Sequence, residues 1–485
     1  MSDFFSSPQY HFARLIFERS LGALYFVAFL SAYNQFTALL GERGLAPVPE
    51  YLKLTNFREN PGLFHWGFSD KILKLVCLVG ITLSLLITFG YVGEAPIAVH
   101  MLTWLTVYFL YLSIVNVGQE FYGFGWETMI LEAGFFAAFM GPTWVTPSWI
   151  PILILRWMLF RTEMGAGLIK LRGDSCWRDL TCLYYHHETQ PLPNPTSRFF
   201  HHSPKWVHRS GVVFSHFCQL VAPIGLFLPW PISFIAGFFL IVHQLILVIS
   251  GNYSWLNWLT IVLGFLVIPN GEGYIATMVE RPMWFEIIQW GVLIGALILS
   301  YRPCLNLFSK EQFMNYCWNR WHLVGAYGAF GSVTRERYEI VLEGTLSDDP
   351  SDEASWKEYD FKGKPGNLKR IPPVVAPYHL RLDWMIWFLP FTVMVSGKSI
   401  FVRGHRMWFI RLMLKLLEND KELLKLFKKN PFPDTPPKWV RAKFYQYHFT
   451  TREEKKETGN IWKREYLGEY CPELNLKYLE QLTKQ

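Results

Sequence analysis

The sequence predicts an α-helical multipass membrane bundle of about seven to nine helices, followed by a mostly antiparallel β C-terminal domain. Composition is the first of three observations behind this. Of 485 residues, 51% are hydrophobic and 17% aromatic, and the mean hydropathy of +0.15 is high for a soluble chain of this length. Second, the apolar residues are gathered into blocks, several close to the ~20 residues that a bilayer core demands. Third, long blocks stop near residue 301, and from Arg337 the apolar positions alternate with period two.

The candidate spans cover residues 17–40, 71–91, 95–117, 126–141, 149–169, 211–229, 231–250, 253–268 and 283–300, with 126–141 and 253–268 short for a bilayer. Arg14 and Arg19 precede the first block and no small-residue cleavage site follows it, so helix one is expected to stay as an anchor with a cytosolic N-terminus. The loop at 170–210, rich in Lys and Arg, is expected to be structured. Asn252 opens a formal glycosylation sequon at the head of an apolar span, where it is inaccessible. Residues 1–301 thus form the transmembrane domain, 302–336 a connecting segment, and 337–485 a β-rich domain. Within that domain RYEIVLEGTL, WKEYDF, PYHLRLDWMIWF and WVRAKFYQYHF read as strands, and 405–429 as one amphipathic helix. His379, Arg381 and Asp383 fall on one strand face, which suits a solvated surface or a docking patch.

The net charge of +7 is spread along the chain, which gives no case for nucleic acid and a weak one for contact with anionic lipid. The seven cysteines include no CxxC. Cys77 and Cys218 sit in spans, and Cys176 and Cys182 are near enough in sequence for a loop disulfide that the sequence does not establish. No G-x-S-x-G elbow and no P-loop occur, so neither an ordinary α/β-hydrolase lipase nor an ATP-driven chaperone is indicated. No cofactor is called for.

The polar exceptions inside apolar spans are more informative. Arg156, Glu163 and Lys170 are spaced by seven, which places them within about 40° on one helix face. A charge at the bilayer centre costs about 2.5 kcal/mol or more, so such groups usually face a bundle interior and pair. Around the proline-rich turn GPTWVTPS, equal depth on antiparallel helices pairs Glu132 with Arg156 and Glu127 with Arg161. The expected intramembrane ion-pair network is therefore Glu127, Glu132, Arg156, Arg161, Glu163 and Lys170. His186, His187, His201 and His202, with Glu188 and His208, offer imidazoles of the kind that bind zinc, but adjacent His-His side chains diverge. Loop structure at the membrane surface is the preferred reading of them, with metal binding the lesser one.

Long ordered segments in both halves resemble the lipase maturation factors. They include VGQEFYGFGWETMILEAGF (117–135), RWMLFRTEMGAGLIKL (156–171), YHHETQPLPNPTSRFFHHSPKWVH (185–208), SGNYSWLNWLTIVL (250–263), KPGNLKRIPPVVAPYHLRLDWMIWF (364–388) and NPFPDTPPKWVRAKFYQYHF (430–449). The resemblance implies a multipass protein of the endoplasmic reticulum membrane that helps dimeric lipases fold and reach secretion, with client proteins and membrane lipid as partners. No ER-retrieval signal is read at Gln485, and in a bacterium the equivalent would be the plasma (inner) membrane. A shorter run, AGLIKL…CW at 166–177, is similar to the stretch around the catalytic lysine of the vitamin K-dependent γ-carboxylases, which would make Lys170 a base. Three functions follow: a membrane folding factor, favoured over catalysis; a membrane enzyme acting through Lys170 on a lipid-soluble or tethered substrate; and, third, a transporter. A cavity beside Lys170 would speak for the second, and a packed bundle with exposed aromatics on the β domain for the first.

Overall fold

The computed structural model describes residues 10–270, 278–396 and 399–478. Residues 479–485 of the expected C-terminal domain, with Gln485, lie outside the described residues. The N-terminal half is built from helices α1 (His11–Leu40), α2 (Asp70–Thr88), α3 (Ile97–Asn116), α4 (Gly125–Ala137), α5 (Trp149–Arg172), α6 (Leu183–Thr189), α7 (Lys205–His216), α8 (Ile232–Ser250), α9 (Leu256–Gly264) and α10 (Met283–Phe308). Several starts are fixed by side-chain caps. Ser69 Oγ accepts from the Ile72 amide at 3.2 Å ahead of α2, and Ser148 Oγ accepts from Ile150 at 3.3 Å ahead of α5.

Among the described residues five helices, α1, α2, α3, α8 and α10, are long and apolar enough to cross a membrane. This is fewer than the expected seven to nine. Helix α4 has 13 residues and α9 nine, while α5 reaches 24 but carries Arg156, Arg161, Glu163 and Lys170. These helices fill the inside of the bundle, where neighbours rather than lipid meet their polar groups. Helix α7 continues through a π-helical turn (Phe217–Val221) into Ala222–Gly225. Helix α10 runs on to Phe308, so the connecting segment begins later than residue 302. Arg14 is fully buried, donating to the carbonyls of Thr143 and Val145 at 2.8 Å each. Cys77 and Cys218 lie buried in helices, and Cys176 is disulfide-bonded to Cys182. Asn252 is buried, donating to Pro193 O and Pro373 O at 2.9 Å each, as the sequon's position suggested.

The C-terminal half centres on an antiparallel sheet of order β2-β1-β7-β8, from β1 (Arg337–Thr345), β2 (Lys357–Glu358), β7 (Trp439–Phe449) and β8 (Trp462–Leu474). Strands β1 and β7 pair from Arg337↔Tyr447 to Thr345↔Trp439. Two small sheets join β3 (Asp360–Phe361) to β6 (Phe427–Lys429), and β4 (Val393–Ser396) to β5 (Ser399–Val402). Two expectations need correction. PYHLRLDWMIWF is not a strand, because Arg381–Ile386 form helix α11, and His379, Arg381 and Asp383 are buried rather than solvated. The 405–429 segment is not one helix. It divides into α12 (Met407–Leu417), a turn of helix at Lys421–Leu424 capped by Asp420, and strand β6. Helix α12 is amphipathic and buries Trp408, Phe409, Leu412 and Leu416.

Candidate functional site

The six expected intramembrane charges do not form one network. They divide into three polar arrangements, and both expected acid–base matches are replaced. Arg161 pairs with Glu132, not Glu127, through both terminal guanidinium nitrogens. Glu132 also accepts from the Gly325 amide at 2.9 Å and the Tyr327 hydroxyl at 2.6 Å, so the connecting segment plugs into the bundle here. The register differs for a physical reason. Side chains lean toward the N-terminus of their helix, which is away from the turn on α4 and toward it on α5. The residue that meets Glu132 therefore lies further along α5 than equal backbone depth suggests.

Glu127 instead meets Arg381 of the C-terminal half at 2.7 Å and accepts from the Tyr111 hydroxyl. Arg381 also donates to Phe121 O at 2.8 Å and lies 3.4 Å from the Tyr122 ring centroid. Gln35 on α1 binds the backbone on either side of Leu380, donating to His379 O at 2.6 Å and accepting from the Arg381 amide at 3.0 Å. Burial, then the Arg381 charge, pushes the His379 imidazole well below its usual range. Arg156 has no acid partner among the described residues. Its guanidinium donates to Leu266 O at 2.9 Å and stacks 4.9 Å from the Tyr10 ring centroid.

Glu163 and Lys170 make the third arrangement, joined through one amide. Lys170 Nζ donates to Gln219 Oε1 at 2.7 Å and to Ser215 Oγ at 3.2 Å, and sits 4.5 Å from the Trp177 ring centroid. Gln219 Nε2 donates to Glu163 at 3.2 Å, and Gln244 Nε2 does so at 2.6 Å. Gln219 belongs to the π-helical turn, a backbone irregularity that often re-aims side chains at functional sites. The approach of α5 to its neighbours depends on its glycines. A Cβ at Gly165 would overlap the Tyr327 carbonyl oxygen, and one at Gly167 would come 2.7 Å from a Leu220 methyl.

A cavity of about 880 Å³ opens beside this arrangement, with Glu163, Lys170, Gln219, His243, Gln244 and Trp384 among its lining residues. Most of its wall is apolar. The sequence pointed to Glu163 and Lys170 but missed Ser215, Gln219, His243 and Gln244. Their signal was available: they are polar residues inside the blocks 211–229 and 231–250.

The loop histidines work separately. His186 Nε2 meets the Tyr253 hydroxyl at 2.8 Å, and His202 meets Thr450 O at 3.0 Å. His201 lies 3.6 Å from Glu188, while His187 stacks with Phe200. Glu188 also accepts from the Phe449 amide at 2.6 Å and lies 3.2 Å from His448 of β7. Among the described residues, the ligand-type side chains that converge within 4.8 Å in a group of three are Asp174, Cys176 and Cys182, and two of these are the disulfide sulfurs. His186 thus ties the loop to the bundle, His201 and His202 tie it to the end of β7, and His187 packs within the loop. Arg337 adds to this junction, donating to Glu188 O at 2.8 Å.

Comparison with known proteins covers both halves. Residues 12–273 match the lipase maturation factor transmembrane domain, and residues 323–472 match the lipase maturation factor C-terminal domain. Lipase maturation factor 1 of Homo sapiens is 39% identical over 96% of this chain and 88% of its own length. The Mus musculus protein of the same name is 38% identical over 97% and 88%. Lipase maturation factor 2 of Homo sapiens is 26% identical over 97% and 84%. No solved structure matches the chain. With five apolar helices of membrane-spanning length among its described residues, the chain is an integral membrane protein of the lipase maturation factor family.

Proposed function

We propose that this chain is a membrane-embedded maturation factor that helps secreted lipases reach their active fold in the endoplasmic reticulum. The observation that carries this reading is the match along both halves to proteins named lipase maturation factors, over nearly the whole chain. The disulfide at Cys176–Cys182 supports the compartment, since such bonds persist in the oxidising lumen and not in the cytosol. The disulfide loop leads into the segment that packs on β1 and β7, so the C-terminal half shares its side of the membrane. Exposed Phe391, Met394, Phe401 and Met407 around the β4–β5 hairpin provide the apolar surface that a folding client would need. The test is co-expression with a secreted lipase in cells stripped of their own maturation factors. Recovery of the lipase with the purified chain is expected. A lipase that never associates with it, while folded chain is present in the reticulum, would contradict the proposal.

A second reading has its own observation. The cavity lies directly beside Lys170, the condition under which the lysine would act as a base in a membrane enzyme. Replacing Lys170 with Ala separates the two readings. A folding factor keeps its clients and their activity, whereas an enzyme keeps its clients and leaves them unmodified.

A further inference from the structure

The link between α1 and α2 exposes apolar side chains at the level of the membrane surface. Leu54 is 83% exposed, Trp66 71% and Phe57 36%, with the Phe57 and Trp66 rings 5.2 Å apart. Their depth is set by α3. Its 20 residues span about 30 Å, the thickness of a bilayer hydrocarbon core, so its last turn lies at the core boundary. The Leu63 amide donates to Ser113 Oγ at 3.0 Å, and Asn116 Nδ2 donates to Pro61 O at 2.8 Å, so residues 61–63 lie against that turn. Trp66 ends the short helical turn Leu63–Trp66 and stands just ahead of Asp70, the first residue of α2. At that end of α2, one of the five apolar spans, Ile72 and Leu75 are 42% and 60% exposed and face the bilayer. The exposed residues of the link thus continue a lipid-facing surface.

Cations stand among these apolar residues. Lys53 and Arg58 are exposed, and neither has a carboxylate partner among the described residues. Arg320 of the connecting segment joins them. Its guanidinium donates to Glu59 O at 2.6 Å, and its carbonyl accepts from Asn116 Nδ2 at 3.4 Å. Its neighbour Trp321 is 43% exposed. Within residues 53–66 Glu59 is the one acid, so with Arg320 three positive charges stand against one negative. Aromatic rings interleaved with cations suit a headgroup layer, where rings meet the acyl boundary and cations meet phosphate. A water-soluble partner would have to displace lipid to reach a surface at this depth.

We propose that residues 53–66, with Arg320 and Trp321, form a foot set into the headgroup layer on the side of the C-terminal half. Leu54, Phe57 and Trp66 enter the acyl boundary, and Lys53, Arg58 and Arg320 bind the phosphates of anionic phospholipid. Glu50, just before the foot, pairs with Arg411 of α12 at 2.8 Å, so the foot lies where the C-terminal half approaches the leaflet. This holds whether or not the chain matures lipases.

The test uses the full-length protein in nanodiscs of phosphatidylcholine mixed with phosphatidylserine. A spin-labelled amino acid replaces Leu54 in one sample and Trp66 in another, and its relaxation by oxygen and by a water-soluble nickel chelate reports depth. The same label at Leu75 of α2 supplies the lipid-facing reference, and at Lys456, exposed on the helix Arg452–Thr458, the aqueous one. Labels at 54 and 66 are expected to meet oxygen as at Leu75 and to be sheltered from nickel relative to Lys456. Retention of phosphatidylserine over phosphatidylcholine, read by native mass spectrometry, is expected to fall about fivefold for each of Lys53→Gln and Arg58→Gln. Nickel access equal to that at Lys456 would overturn the proposal. So would shelter from both reagents, the mark of a protein cover, or phosphatidylserine retention unchanged in both variants. The two labelled positions report independently, so one that fails to fold leaves the other decisive.

Discussion

Individual charges on α4 and α5 show what one sequence reveals and what it hides. That Glu127, Glu132, Arg156, Arg161, Glu163 and Lys170 are buried was legible, because ionisable residues in apolar blocks have few other places to go. Their partners were not. Three of the groups that satisfy them, Arg381, Tyr327 and Gln219, lie more than 50 residues away in sequence, beyond the reach of any helical spacing argument. The Glu132–Arg161 pair makes a direct test. Removing one partner of a buried pair costs about 3–5 kcal/mol because the other charge is stranded. Glu132→Gln is expected to lower the yield of folded protein, and adding Arg161→Gln to restore part of it. Folded yield is read as the monodisperse fraction in detergent. A double variant no better than the worse single one would mean that the two do not compensate. The same cycle with Arg156→Gln is expected to give no rescue.

At the scale of elements, the sequence spoke clearly where one periodicity governed a segment. Strands β1 and β7 and the stripe on α12 follow their patterns. Arg381–Ile386 does not, since PYHLRLDWMIWF alternates like a strand yet forms a buried helix. Its polar positions alternate because Arg381 reaches Glu127 while Asp383 accepts from the Gly363 amide on another side, so no solvated face exists. The histidine-rich loop carries the pH behaviour. Burial pushes His186, His187, His201 and His202 below 6.5, His186 to about 4. Their contribution is present above 6.5 and lost as pH falls through their folded values. His448 runs the other way. The Glu188 hydrogen bond raises it, so its contribution is full below 6.5 and lost as pH rises through its raised value. Glu188 stays low despite burial, held by His448 and His201, so its share is lost only below 4.5. Thermal stability is therefore expected to fall between pH 6.5 and 4.5 as the four lowered imidazoles lose their contribution, whereas the His448 contribution is already full there and is lost only on the alkaline side, above 6.5. A Tm that is flat over that window would contradict this account of the loop.

As a whole molecule, the chain is less divisible than its two patterns suggest. Membrane bundle and β domain were both legible, but their interlock was not. The Glu127–Arg381 pair, the Gln35 clamp on the α11 backbone and the docking of residues 188–202 on β1 and β7 join the halves through buried polar contacts. Arg381→Gln should therefore loosen the C-terminal half. Limited proteolysis is expected to cut within residues 337–478 under conditions where the wild type resists, and an unchanged pattern would show that the pair does not join the halves.

A lipase maturation factor brings its client lipase to an active fold. The most direct measurement is the activity per unit mass of a secreted lipase, expressed with or without the chain in cells that lack their own maturation factors. Wild-type chain is expected to restore specific activity in the medium. Lipase protein that stays as inactive as in cells without the chain, while folded chain is present in the membrane, would contradict that role.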